Sequence, residues 1–111
     1  MRRIWFKPLM VERLRAGKKT TTFRKNKHDG MYAVVKGIWF NAIPIGLVVK
    51  LSPIGEMDGE TVLSQHYKSE GFDTQDEARE WVKKENLALP KTGWLHTVEI
   101  TLDIQYARKE A

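Results

Sequence analysis

A stretch of strict alternation near the C-terminal end of the chain constrains its fold more than any other feature. Polar and apolar side chains alternate here without interruption: Thr97, Val98, Glu99, Ile100, Thr101, Leu102, Asp103 and Ile104. Successive side chains of a strand point to opposite faces of a sheet. A period of two therefore predicts a strand with one face on a hydrophobic core and the other face polar. The chain must contain a sheet.

Other segments of the sequence add strands and helices in a mixed order. Shorter strands are predicted at five places: residues 3–6, 20–24, 31–36, 37–41 and 45–51, the last ended by Ser52-Pro53. Helices are predicted at three places: from Pro8 to Gly17, from Asp58 to Glu70, and from Thr74 to the Leu89-Pro90 pair. Pro suits the first helical position and Gly the residue just past a helix end, and Thr74 with Glu77 matches a capping box.

This element order defines the expected fold class. Consecutive strands joined by short turns favour an antiparallel or mixed sheet, and a small barrel would leave no unpaired sheet edge. A chain of 111 residues has room for one domain. We therefore expect a single α+β domain over residues 1–105, a compact β-barrel flanked by three helices. Residues 106–111 form a charged C-terminal tail that is expected to fray.

Charge is distributed unevenly along the sequence. Residues 1–27 carry ten basic side chains and one acid, whereas residues 56–80 carry eight acids and two basic side chains. A cluster of this kind favours a phosphate-bearing partner such as RNA or a nucleotide. The other interpretation is a set of solvated surface residues, and charge alone does not separate the two.

Composition excludes several classes of protein and site. The chain has no cysteine, so it has no disulfide, no thiol nucleophile and no cysteine-based zinc or iron–sulfur site. Its three histidines have no metal-ligand spacing, and we expect no metal and no cofactor. No segment approaches the roughly 18 apolar residues of a membrane span, and none resembles a signal peptide. A soluble cytoplasmic protein is expected.

Two motifs identify a family resemblance. The first is Gly17-Lys18-Lys19-Thr20-Thr21-Thr22-Phe23-Arg24, directly after the first helix, and the second is His66-Tyr67-Lys68-Ser69-Glu70-Gly71-Phe72. Together they resemble the ASCH (activating signal cointegrator homology) domain, although the turn after the strand reads Asp29-Gly30 where the family often has Gly-Asp. The resemblance covers almost the whole chain and implies a PUA-like β-barrel, a fold associated with RNA recognition.

Within that family, the sequence is most similar to small bacterial proteins that hydrolyse N(4)-acetylcytidine. Their catalytic Lys, Thr and Glu fall on Lys19, Thr22 and Glu70, and the arginine of the motif falls on Arg24. The resemblance therefore implies a cofactor-free amidohydrolase. Other family members resemble ribonucleases or plain RNA-binding modules, so the family alone does not fix the activity.

The candidate residues have a chemistry that suits amide hydrolysis. Thr22 would attack the acetyl carbonyl, a neutral Lys19 would take its proton, and Glu70 would protonate the leaving amine. Arg24 would stabilise the oxyanion or hold a phosphate. Alternation places Thr22 and Arg24 on one strand face and Phe23 in the core, so Lys19 must lie in the turn before the strand.

Glu70 is predicted in the last turn of its helix, where the helix dipole disfavours an anion unless a cation such as Lys19 lies nearby. The simpler alternative is that Lys19 and Glu70 are only an ion pair between helix and barrel.

Two further functions stay open. A non-catalytic RNA-binding module would use Lys25 and Lys27 on a phosphate backbone and Trp39 to stack a base. A metal-independent ribonuclease would use Lys19 and Arg24 to stabilise the charge at phosphorus.

Overall fold

Five strands and three helices make up the part of the chain, residues 1–37 and 42–105, that a computed structural model describes. The strands are β1 (Arg2–Trp5), β2 (Thr21–Arg24), β3 (Gly30–Lys36), β4 (Ile43–Met57) and β5 (Gly93–Asp103). The helices are α1 (Pro8–Arg15), α2 (Gly59–Gln65) and α3 (Gln75–Lys84). Trp39, most of the strand predicted over 37–41 and the tail 106–111 lie outside the described residues.

All five strands belong to one mixed sheet in the order β1-β3-β4-β5-β2. β1 runs parallel to β3, and the other three pairs are antiparallel. The long central strand β4 pairs along both of its edges. The sheet curls into a half-barrel, which brings its edge strands β1 and β2 towards each other, and Arg24 Nη2 donates a hydrogen bond to the Trp5 carbonyl oxygen at 2.9 Å. The predicted α+β class with a mixed sheet is confirmed, whereas the barrel is only half closed and keeps two edge strands.

The core fills the inside of this curled sheet and is closed by helices. Alternate residues of β4 point into it, and Leu47, Val49 and Leu51 are almost fully buried. α1 contributes Met10, Val11 and Leu14 on one face, which is the amphipathic spacing of a helix on a core. One hydrophobic core contacts every element except β2, and β2 pairs with β5, so the described chain forms a single domain.

Local sequence signals fix several helix ends as expected. Pro8 begins α1, and Gly17 follows it in the left-handed region at φ +76°. Thr74 Oγ1 accepts a hydrogen bond from the Glu77 amide at 3.1 Å and caps α3. The Glu77 carboxylate contacts Arg13 Nη2 at 3.1 Å, so the capping residue is confirmed while its acid partner is used elsewhere.

Three predicted element ends are wrong. α3 ends at Lys84 and not at the Leu89-Pro90 pair, because Asn86 adopts the left-handed conformation at φ +53° that ends a helix. β4 continues through Ser52-Pro53 to Met57, because Pro53 lies at an irregularity in the register with β5, where the ladder tolerates a residue without an N–H. α2 ends at Gln65, so Glu70 lies outside this helix, in a separate turn closed by the hydrogen bond from its amide to the His66 carbonyl oxygen at 3.0 Å. Glu70 instead forms an isolated antiparallel bridge with Lys19. The helix-dipole argument for this carboxylate therefore does not apply.

Three predicted core positions also differ. Phe23 is only partly buried and does not belong to the core cluster. Leu102 and Ile104 are 49% and 42% exposed, because the apolar face at the end of β5 extends past the core. None of the helices in the described ranges is long and apolar enough to cross a membrane.

Candidate functional site

A half-open cavity of about 260 Å³ lies between the β2 edge of the sheet and the helices α2 and α3. Four of the predicted site residues contribute to its lining: Lys19, Thr22, Arg24 and Glu70. The rest of the lining is mostly apolar and includes the aromatic side chains of Trp5, Phe23, Tyr67, Phe72 and Trp81. A small polar cluster in an otherwise apolar pocket is the usual construction of a site for a small organic molecule.

Lys19 and Glu70 meet because two short backbone segments run side by side. The amides of Thr20 and Thr21 both donate to the Ser69 carbonyl oxygen, at 2.7 and 3.1 Å. Lys19 and Glu70 are the bridge partners beside this contact. Gly71 follows at φ +106°, and a Cβ added there would lie 3.3 Å from Lys19 Cβ, so glycine permits the close approach.

The two side chains form a largely buried ion pair. Lys19 Nζ lies 3.5 Å from Glu70 Oε2, and the side chains are 5% and 13% exposed. The simpler alternative of an ion pair is thus present, but the pair is also part of the cavity wall. Its groups can reach a bound molecule.

Burial sets the protonation behaviour of Lys19. Desolvation lowers the pKa of its amine below the ordinary value of 10.5, since the charged form is disfavoured away from water. The carboxylate of Glu70 acts in the opposite direction, and the positive charge of Arg24 lowers the pKa further. Lys19 is therefore closer to its neutral form than a surface lysine, which is what a general base requires.

Arg24 is directed at the hydroxyl of Thr22. Its Nε donates to Thr22 Oγ1 at 3.2 Å, so the two side chains share one face of β2 as predicted. Its Nη2 donates to the Trp5 carbonyl oxygen, and the guanidinium lies 4.6 Å from the centroid of the Phe6 ring. Burial lowers the pKa of Arg24 as well, while Glu70 raises it. The guanidinium is thus a fixed cation beside the threonine oxygen.

Sequence reasoning missed two residues of this region. Thr21 Oγ1 lies 2.5 Å from Glu70 Oε2, and its only sequence signal was membership of the same Thr-Thr-Thr run. His96, opposite Thr22 on β5, is fully buried. Its Nε2 accepts the backbone N–H of His28 at 2.8 Å, and its Nδ1 lies 3.3 Å from the Thr22 carbonyl oxygen. His96 precedes the alternating stretch that drew attention to this strand.

The predicted phosphate-binding lysines do not reach the cavity. Lys25 and Lys27 are exposed in the turn between β2 and β3, and neither lines the pocket. Lys27 Nζ lies 5.1 Å from the centroid of the Trp94 ring. Trp39, the predicted stacking residue, falls outside the described residues.

Folding neutralises much of the basic N-terminal segment. Five of its ten basic side chains form ion pairs with acids from later in the chain: Lys7–Glu85, Arg13–Glu77, Arg15–Asp103, Lys18–Asp73 and Lys19–Glu70. The charge asymmetry seen in the sequence is therefore largely cancelled in space. Within residues 1–27, four exposed cations have no acidic partner: Arg2, Arg3, Lys25 and Lys27.

Searches for related proteins add no assignment. Comparisons of the chain with protein-family models, with curated proteins and with solved structures found no match. In the described ranges, no three acidic or histidine side chains are grouped closely enough to hold a metal ion. The geometry of the cavity and the motif resemblance are therefore the only pointers to function.

Proposed function

We propose that this protein is an ASCH-type amidohydrolase that removes the acyl group from N(4)-acetylcytidine or a closely similar acylated nucleoside. One observation carries the proposal: residues from two stretches about fifty positions apart, matching both family motifs, line one half-open cavity. A structural ion pair alone does not require a threonine hydroxyl and a guanidinium in the same cavity wall. The four groups together supply a nucleophile, a base, an acid and a fixed cation.

Thr22 is the nucleophile. The reacting form of the Lys19–Glu70 pair is its neutral form, in which the proton of the Lys19 amine has moved to the Glu70 carboxyl 3.5 Å away. Thr22 Oγ1 attacks the acetyl carbonyl carbon and gives its proton to the neutral Lys19 amine, whose pKa burial lowers. The Arg24 Nε–H, 3.2 Å from the same oxygen, stabilises the negative charge that develops as the proton leaves. A hydroxyl is a weak nucleophile without such help.

Glu70 completes the first half of the reaction. The bond between the carbonyl carbon and the exocyclic nitrogen breaks as Glu70 donates a proton to that nitrogen, which releases cytidine and leaves acetyl-Thr22. In the second half, water attacks the acetyl group, Glu70 takes a proton from this water, and Lys19 returns its proton to the Thr22 oxygen. Acetic acid leaves, and the four groups return to their starting protonation states.

The size and lining of the cavity favour one modified base over a longer nucleic acid. Its volume of about 260 Å³ is at the lower limit of typical small-molecule pockets, roughly 300 Å³. The rings of Trp5, Tyr67 and Trp81 offer flat apolar surfaces on which a pyrimidine can stack. The polar cluster would then face the exocyclic acyl-amide.

The test is hydrolysis of N(4)-acetylcytidine by the purified protein and two threonine variants. We expect Thr22→Ala to lower kcat about 10³-fold or more, the order of loss for a removed nucleophile, while the variant keeps a cooperative thermal transition at a somewhat lower temperature because the hydrogen bond from Arg24 is lost. Thr20→Ala is the matched control, because Thr20 lies in the same run but is exposed and does not line the cavity. Equal turnover by wild type and Thr22→Ala would rule out this mechanism.

A second candidate function is RNA binding by the four exposed cations of the basic N-terminal segment that have no acidic partner, Arg2, Arg3, Lys25 and Lys27. It is favoured by their position on β1 and on the turn after β2, outside the cavity. Binding to single-stranded RNA would weaken with salt, by about 0.7 logarithmic units per contacted phosphate for each tenfold rise in salt concentration. Replacing Lys25 and Lys27 by glutamine would reduce that slope, whereas Thr22→Ala would not. A slope that Lys25 and Lys27 do not change would count against this function.

A further inference from the structure

A short chain of hydroxyl groups lies beside the Glu70 carboxylate. Thr21 Oγ1 is 2.5 Å from Glu70 Oε2 and 2.9 Å from Ser69 Oγ, and Ser69 Oγ is 3.0 Å from the His66 carbonyl oxygen. Thr21 is only 6% exposed and does not line the cavity. These groups therefore depend mainly on one another for hydrogen bonds.

The hydroxyl groups of Thr21 and Ser69 can form a complete set of hydrogen bonds with Glu70 in two ways, one for each protonation state of the carboxyl group. A carboxylate only accepts hydrogen bonds, so when Glu70 is charged the Thr21 hydroxyl donates to it and Ser69 can donate to Thr21. A protonated carboxyl donates instead. Thr21 then accepts from Glu70 and donates to Ser69, and Ser69 donates to the His66 carbonyl oxygen. The heavy-atom distances suit both arrangements, and only the two O–H bonds need to rotate.

We infer that Thr21 and Ser69 are positioning residues that keep Glu70 hydrogen-bonded in both of its protonation states. The inference rests on the proposed function, in which Glu70 gives a proton to the leaving amine and regains one from water. Neighbours that could only donate would favour the charged form alone, and neighbours that could only accept would favour the neutral form alone. A pair of hydroxyls ending at a backbone carbonyl supports both.

The same contacts hold the carboxyl group in place. Thr21 Oγ1 lies 2.5 Å from Glu70 Oε2, and Lys19 Nζ lies 3.5 Å from the same oxygen. The backbone of Thr21 is itself fixed by its hydrogen bond to the Ser69 carbonyl oxygen. Removing the hydroxyl therefore leaves the backbone pairing intact and takes away one of the two groups that direct the carboxyl.

The experiment compares Thr21→Val, which replaces the hydroxyl by a methyl group, with Thr21→Ser, which keeps it. Turnover is measured with N(4)-acetylcytidine and with its 5-fluoro analogue, whose less basic amine leaves with less help from an acid. We expect Thr21→Val to lower kcat about 10- to 100-fold, a part of the roughly 10²–10⁴-fold that acid–base catalysis supplies. KM is expected to stay close to wild type, the loss to be smaller with the fluoro substrate, and Thr21→Ser to keep most of the activity.

Ser69→Ala is the second variant, and it carries the test if Thr21→Val does not fold. This variant removes the hydroxyl that is farther from Glu70. We again expect kcat to fall more with N(4)-acetylcytidine, which has the poorer leaving group, than with the fluoro substrate, and both losses to be smaller than in Thr21→Val. Wild-type kcat in both Thr21→Val and Ser69→Ala would overturn the inference, as would equal losses on the two substrates.

A structural measurement separates this inference from the proposed function. If wild type hydrolyses neither substrate, the proposed function fails, and crystal structures of wild type and Thr21→Val then decide the positioning role. A Glu70 carboxyl that turns away from Lys19 in Thr21→Val supports the role. An unmoved carboxyl contradicts it.

Discussion

Arg24 joins the two edge strands of the sheet, because its Nη2 donates a hydrogen bond to the Trp5 carbonyl oxygen at 2.9 Å. The same guanidinium reaches Thr22 Oγ1 through Nε. One side chain thus closes the open side of the half-barrel and directs a positive charge at the proposed nucleophile. The planar group with several N–H donors makes this double contact possible.

Replacing Arg24 by lysine should separate the effect of its two hydrogen bonds from the effect of its positive charge. Lysine keeps the charge but has a single ammonium group, so it cannot reproduce both hydrogen bonds. We expect Arg24→Lys to reduce the free energy of unfolding by about 1–3 kcal/mol and to lower turnover of N(4)-acetylcytidine. Urea denaturation and steady-state kinetics measure the two effects. Lys25→Gln, at the next and exposed position, is the control that should change neither; wild-type values for Arg24→Lys would contradict the prediction.

The pKa of Lys19 should shift in opposite directions when its two charged neighbours, Arg24 and Glu70, are replaced in turn. Burial lowers the pKa of Lys19 below 10.5, Arg24 lowers it further and Glu70 raises it. The pKa should therefore rise in Arg24→Gln and fall in Glu70→Gln. NMR of the Lys19 side-chain carbon next to the amine measures this directly, without activity. Shifts of the same sign in the two variants would show that the charges do not act on Lys19 as the distances imply.

Stability should decrease on the acid side because of His96. Burial lowers the pKa of His96 below 6.5, and the charges of His28 and Arg24 lower it further. The unfolded state therefore binds a proton that the folded state does not, so the free energy of unfolding falls as pH drops below about 6.5. The limiting slope is about 1.4 kcal/mol per pH unit for one proton.

His96→Gln provides the comparison for this pH effect. Urea denaturation between pH 7 and pH 5 should give a shallower dependence on pH for the variant than for wild type. Protonation would also place a proton on Nε2, which accepts the His28 backbone N–H at 2.8 Å, so the turn before β3 should loosen at the same pH. Identical pH dependence in the two proteins would remove His96 as the cause.

Gly93 should not tolerate a side chain. A Cβ added there would lie 2.6 Å from Phe23 Cζ and 2.8 Å from the Arg24 carbonyl oxygen, so both the ring and the strand would have to move. We expect Gly93→Ala to cost about 1–3 kcal/mol, the range for overpacking, and to disturb the cavity wall at Phe23. Gly55→Ala is the matched control on the partner strand β4, because no atom lies within 4 Å of its added Cβ. Equal melting temperatures would refute the expected clash.

The sequence predicted the elements whose signals are local. Pro8, Gly17 and Thr74 act through their own backbone geometry or a contact three residues away, and the helices begin or end near them. The end of α2 was not predictable in this way. His66 to Glu70 keeps a helical spacing, but the helix stops before it, and the Ser69 carbonyl oxygen accepts hydrogen bonds from the amides of Thr20 and Thr21, which no local pattern reveals.

Four of the residues that line the cavity were predictable from the sequence, and their geometry was not. Motif resemblance selected Lys19, Thr22, Arg24 and Glu70, while the contact of Thr21 with Glu70 depends on how two distant segments align. Charge counting had a similar limit. It identified the basic N-terminal segment but not the acidic residues that form ion pairs with half of its basic side chains. A count of charges along the sequence says nothing about which of them lie close together in the fold.

The bridge between Lys19 and Glu70 also has a kinetic consequence. Its partners are 51 residues apart in the chain, and closing so long a loop costs entropy before any contact offsets it. Local structure such as α1 and α3 can form earlier than such a distant pairing. During refolding, the far-ultraviolet helix signal should therefore recover first, and enzymatic turnover only when the last long-range contacts close.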